Sequence, residues 1–176
     1  MRYLKNYKVF ENKEVNKFLD IPEIESKFLD ISDIMIDWED NDDIEVTYNL
    51  VTNPNNPITF DIGKFESNKF ISPFYNNKDI LTHVIKSLRK YGFYYKVDFR
   101  YTPGIINHLR SNPDNKYGEL LKKCYLEVSK RIESVFDTEI IKSEVYDAYE
   151  TRWFNLTDNI LNDHQYHVGY KIYFKI

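Results

Sequence analysis

The sequence predicts an α+β fold, a two-layer sandwich of about five mostly antiparallel strands with three main helices on one face. Three observations lead there. Apolar residues recur at helical spacing in three segments, and each of these is followed by a segment in which apolar and polar residues alternate. That alternation, in place of continuous apolar runs, means that each strand buries one face only, the habit of antiparallel sheet. Finally, 176 residues with 42% apolar content suffice for one globular domain with a sizeable core.

The elements follow in chain order. Ile24, Phe28, Ile31, Ile34, Met35 and Trp38 fall on one helix face, so a helix runs over about 22–40 with Pro22 in its first turn. Ile44, Val46, Tyr48 and Leu50 then alternate with polar residues as a strand. "TNPNNP" reads as a turn, and Ile58, Phe60 and Ile62 as a short return strand. Ile80, Leu81, Val84, Ile85 and Leu88 form the next helix, stopped by Gly92, after which Phe93, Tyr95, Val97, Phe99 and Tyr101 alternate. Leu120, Leu121, Cys124, Val128, Ile132, Val135 and Phe136 make the third helix, followed by a strand within 139–153. That segment has apolar residues in both phases, Ile140, Tyr146 and Ala148 against Ile141, Val145, Tyr149 and Trp153, which implies a bulge or an interface strand. The last strand, over 166–176, alternates Tyr166, Val168, Tyr170, Ile172, Phe174 and Ile176. Two long connections, 63–77 and 102–116, are expected as loops. The first carries Phe65, Phe70, Phe74 and Tyr75 and should be pinned to the core.

Residues 1–22 read as a basic leader with a short helix beginning at Asn12, and 23–176 as a single α+β domain. The formal charge is −4, and Arg2, Lys5 and Lys8 put +3 into the first ten residues, which leaves −7 on the rest. An acidic body lacks the clustered cations that general affinity for nucleic acid or anionic membrane requires. No apolar run approaches the roughly 18 residues of a membrane span, and a single cysteine, Cys124, points to a reducing compartment without disulfides. Ile, Lys, Asn, Tyr and Phe abound while there is a single alanine, the residue usage of a strongly A/T-rich genome.

Function is less legible. Tyr94, Lys96, Arg100, Lys171, Tyr173 and Lys175 should project from the uncovered sheet face, where interleaved cations and aromatics suit either a protein interface or single-stranded nucleic acid. The RNA-recognition glycine-aromatic signature is missing and Glu45 and Asp98 dilute the charge, so protein contact is the favoured reading. "DWEDNDDIE", with Asp40 and Asp42, and "DHQYHVG", with His164 and His167, are the candidate metal ligands. The first lacks the glycine and closing glutamate of an EF-hand loop, and in the second a spacing of three enters a strand, where it places the two histidines on opposite faces. Arg100, His108 and Arg110 offer scattered cations for an anion, without a general acid or base beside them. There is no G-x-S-x-G, P-loop or dinucleotide-binding glycine pattern, so no catalytic residue or cofactor is assigned, and a metal-assisted or phosphate-directed enzyme is the least supported class.

The opening stretch "MRYLKNYKVFE" has a basic residue after Met, spaced apolar residues and a glutamate, supplied by Arg2, Leu4, Tyr7, Phe10 and Glu11. In this it resembles the leader of internal and accessory virion proteins of T-even-like tailed phages, and of many small proteins of A/T-rich phages. The resemblance implies delivery into the prohead and cleavage after a glutamate preceded, two residues earlier, by an aliphatic residue, as in Val9-Phe10-Glu11. It implies a non-enzymatic accessory protein in the virion or the host cytoplasm, with a phage or host protein as partner. The alternative for residues 1–11 is an amphipathic first turn or edge strand packed on the body. A Tyr-rich surface is equally compatible with a homo-oligomer.

Overall fold

The computed structural model describes residues 20–55, 59–61, 78–163 and 166–176. Its elements are α1 (Ile21–Glu39), β1 (Ile44–Val51), β2 (Thr59–Asp61), α2 (Lys78–Tyr91), β3 (Tyr94–Tyr101), α3 (Pro103–Ser111), α4 (Asn115–Phe136), β4 (Ile140–Asp147), β5 (Arg152–Asn155), α5 (Asp158–Asn162) and β6 (His167–Phe174). The six strands form one antiparallel sheet in the order β2-β1-β3-β6-β4-β5. The class is α+β, as the alternation required.

Each expected helix has at least one end fixed by a local cause. The Asp20 carboxylate accepts from Glu23 N at 3.2 Å to cap α1, and all six apolar residues of its stripe are buried. Gly92 stops α2 with φ +71°, a left-handed position in which glycine has no steric cost. Asp114 caps α4, accepting from Lys116 N at 2.9 Å, and α4 buries Leu121, Cys124, Val128 and Ile132 while Leu120 and Val135 stay exposed. The connection 102–116 departs from expectation. Pro103 starts the nine-residue helix α3 there, because Ile106 and Leu109, three apart, share a face and are buried.

On the sheet, Ile44, Val46, Tyr48 and Leu50 of β1 lie in register with Tyr101, Phe99, Val97 and Tyr95 of β3. Phe174, Ile172 and Tyr170 of β6 continue the layer beside Tyr95, Val97 and Phe99. These side chains are buried and pack with the apolar stripes of α1 and α4 and with Leu88 of α2 into one core. Aromatic contacts bind the layers: Tyr125 of α4 stacks on Tyr170 at 4.9 Å and Phe136 on Phe174 at 6.0 Å. The Tyr48 hydroxyl donates to the Glu39 carboxylate, fastening the end of α1 to β1.

The region 139–153 resolves the two-phase pattern as a hairpin with a bulge. Between Ile140 and Lys142 the pairing with β6 slips, which turns Ile141 outward. The Asp147 carboxylate accepts from Tyr149 N and Glu150 N, Thr151 N donates to Asp147 O, and Thr151 closes the turn at φ 55°. Residues 1–19, with Arg2, Leu4, Tyr7, Phe10, Glu11 and Asn12, lie outside the described residues, as do Ile58, Ile62, the whole of 63–77, and His164.

Candidate functional site

Alternation puts every second residue of the strands on the face away from the core, where the register orders them in rows. Glu45, Arg100, Gly169, Tyr146 and Trp153 form one row across β1, β3, β6, β4 and β5. Thr47, Asp98, Lys171, Glu144 and Asn155 form the next. Asn49, Lys96, Tyr173 and Lys142 form the third. Four of the six residues expected on this face, Lys96, Arg100, Lys171 and Tyr173, therefore sit within it, and the Lys175 ammonium lies 5.4 Å from the Tyr94 ring centroid beside it.

The charges of the second row alternate in sign. Lys171 stands between Asp98 and Glu144, and Lys96 and Arg100 flank Asp98 along β3. Lys142 Nζ contacts Glu144 Oε1 at 2.8 Å, and the Tyr173 hydroxyl donates to Glu144 Oε2 at 2.8 Å. Burial pushes the Glu144 carboxyl up, but these two bonds and the nearby Lys171 outweigh it and hold the group below its ordinary range. At Asp98 burial wins over the attraction of Lys96, Lys171 and Arg100, and the carboxyl sits above its ordinary range. Burial likewise lowers Lys171.

The third row is closed. Lys142 Nζ donates to Pro54 O at 2.9 Å, tying the turn after β1 to β4, and Lys96 is 8% exposed and Tyr173 1%. Tyr173 therefore offers no ring face to a base. The first row is open and built around a glycine. A Cβ at Gly169 would meet Arg100 Cβ at 2.9 Å and Trp153 Cη2 at 3.3 Å, so the Arg100 stem and the tip of the Trp153 ring converge above it. Lys171 Nζ lies 3.6 Å from the Trp153 ring centroid, a close cation–π contact, and Tyr146 packs against the ring at 5.2 Å. Beyond, at the tip of the β4–β5 turn, Tyr149 is 74% exposed and leans on Tyr166 at 5.5 Å. Arg152 covers Phe154 at 4.4 Å and pairs with Glu150 at 2.6 Å.

Lys142, Glu144, Tyr146, Trp153 and Gly169 are absent from the site as read from the sequence. For Lys142, Glu144 and Tyr146 the signal was their i, i+2 spacing, hidden by the bulge that reverses the phase of β4 after Ile140. Of the metal candidates, Asp40 and Asp42 are exposed in the turn between α1 and β1, and His167 is buried at the start of β6. No three His, Cys, Asp or Glu among the described residues come together as metal ligands. Cys124 is buried in the stripe of α4 and its thiol is pushed well above the ordinary range by burial, which makes it a packing residue and a poor nucleophile. No helix among the described residues is long and apolar enough to cross a membrane. No protein-family model, curated protein or solved structure matches the chain.

Proposed function

We propose that this protein acts by binding another protein and not by catalysis, and that the contact centres on the Trp153 corner of the sheet. The observation that carries the reading is the fixed Trp153 ring, laid over Gly169 and held by Lys171 and Tyr146, beside the half-exposed Arg100. Trp, Tyr and Arg are the residues that dominate binding energy at protein interfaces, and a ring already immobilised loses little conformational entropy on docking. Single-stranded nucleic acid fits this face less well, because Arg100 and Lys171 have carboxylates directly across the strand and Lys96 and Tyr173 are covered.

The resemblance of residues 1–11 to a phage leader supports placing that partner in a tailed-phage particle or its host, with the leader as the address and the sheet corner as the contact. Mass spectrometry of purified particles tests both. The protein is expected in particles, to be lost from them on deletion of residues 1–11 without a change in thermal unfolding, and to be depleted several-fold by Trp153→Ala. Its absence from particles would end the packaging reading, and equal occupancy of the Trp153→Ala variant would end the assignment of the contact.

A further inference from the structure

We infer that the partner protein adds an extended strand to the free edge of β5, held by the outward main-chain groups of Trp153 and Asn155. This rests on the reading of the Trp153 corner as a protein-binding surface and adds how the bound segment is recognised. β5 ends the sheet, so one side of it has no neighbouring strand. Leu156 N donates to Ser143 O at 2.9 Å, and these two residues continue the register in which Phe154 lies opposite Val145 and Arg152 opposite Asp147. In an antiparallel ladder, pairs that exchange hydrogen bonds alternate with pairs whose N–H and C=O groups point away. Phe154 and Arg152 therefore bond toward β4, and Trp153 and Asn155 turn their N–H and C=O groups to the open side. No hydrogen bond from the described residues reaches those groups.

The edge is longer than the strand. Thr157 is also extended, at φ −124° and ψ 163°, so its N–H continues the outward series. The chain then leaves for the helix layer, where Ile160 and Leu161 pack against the core and Lys122 Nζ donates to Asn162 Oδ1 at 3.3 Å. Sheet edges are commonly protected by lysine, proline, a bulge or a covering element. Residues Arg152–Asn155 contain neither lysine nor proline, and their pairing with β4 runs without a shift. The complement of such an edge is another extended backbone, with side chains at alternate positions supplying specificity. On the open face the added strand lies beside Trp153, a ring already held by Lys171 and Tyr146. An aliphatic or aromatic side chain directly across from that ring makes the favoured cross-strand pair. A second copy of this chain, paired antiparallel along the whole edge, would bring only Asn155, or Thr157 whose hydroxyl caps α5, opposite Trp153. The occupant is therefore an extended segment of a different protein with an apolar residue at that position.

Two measurements on the full chain test this. In amide exchange followed by NMR, Trp153 and Asn155 are expected to exchange at least about tenfold faster than Phe154, and slow exchange at both would overturn the inference. This result stands whether or not any variant folds. The second measurement is photo-crosslinking from p-benzoylphenylalanine at position 149, in cells where the protein acts. Asn155→Pro removes the outward N–H and sets a ring in the path of the added strand, without breaking a bond to β4. Asn155→Ala keeps the N–H and removes only the side chain. Crosslinking to a different protein is expected to fall about fivefold or more with Asn155→Pro and to stay within about twofold with Asn155→Ala. Unchanged crosslinking by a folded Asn155→Pro variant, an equal loss with Asn155→Ala, or crosslinking to a second copy of this chain would each overturn the inference. If Asn155→Pro has no effect while Trp153→Ala lowers the yield, strand addition falls and the docking surface remains. If neither variant alters the yield, or no protein is crosslinked, both fall.

Discussion

Tyr101 and Tyr170 are both fully buried in the core layer and differ in what their hydroxyls meet. Tyr101 donates to Tyr117 O at 2.6 Å, whereas the Tyr170 hydroxyl has no hydrogen-bond partner among the described residues. A buried polar group without a partner loses its water and gains nothing in return. Tyr101→Phe is therefore expected to lower stability by about 1 kcal/mol, and Tyr170→Phe to leave it unchanged or raise it by about 1 kcal/mol, in urea unfolding. Gly169 is a residue of a different kind, required by close approach and not by backbone conformation. Gly169→Ala must displace Arg100 Cβ, an atom next to the backbone that cannot swing away. We expect a cost of about 1–3 kcal/mol and a shifted Trp153 fluorescence maximum.

The strands carry the electrostatics, and the two carboxylates beside Lys171 should answer pH in opposite senses. Glu144 is held below its ordinary 4.5 by its partners, so its stabilising contribution is present above that pH and drains as pH falls through the lower folded value. Glu144→Gln is expected to cost about 1–3 kcal/mol at pH 7, the difference closing below pH 4.5. Asp98 is held above its ordinary 3.8, so the folded state favours its protonated form and the charge becomes unfavourable as pH rises through the raised value. Asp98→Asn should stabilise the protein near neutrality and lose that advantage toward pH 3.8, which chemical unfolding across pH would reveal. Helices α1, α2 and α4 and strands β1, β3 and β6 were legible in the sequence because their apolar spacing is unambiguous. The β4–β5 hairpin was not, since Ile140 and Ile141 occupy both phases and only the slip in pairing decides which residues face Lys171. Helix α3 was missed because two apolar side chains facing inward over nine residues give a short and weak period.

At the scale of the molecule, the C-terminal strand β6 lies between β3 and β4 and antiparallel to both. It contributes Tyr170, Ile172 and Phe174 to the core, and Gly169 and Lys171 to the opposite face. Core and candidate interface thus share one strand, so the position of Trp153 is set by the same pairing that completes the sheet. The six-residue cationic and aromatic face expected from the sequence divides into a closed part, around Lys96 and Tyr173, and an open part, around Arg100 and Lys171. The open part is extended by Trp153, Tyr146 and the exposed Tyr149, and there we propose that a protein docks. Photo-crosslinking from position 149, with p-benzoylphenylalanine in place of Tyr149, reads this most directly in cells where the protein acts. A discrete crosslinked protein whose yield falls several-fold with Trp153→Ala is the expected result. A crosslink unaffected by Trp153→Ala, or crosslinking to nucleic acid alone, would contradict it.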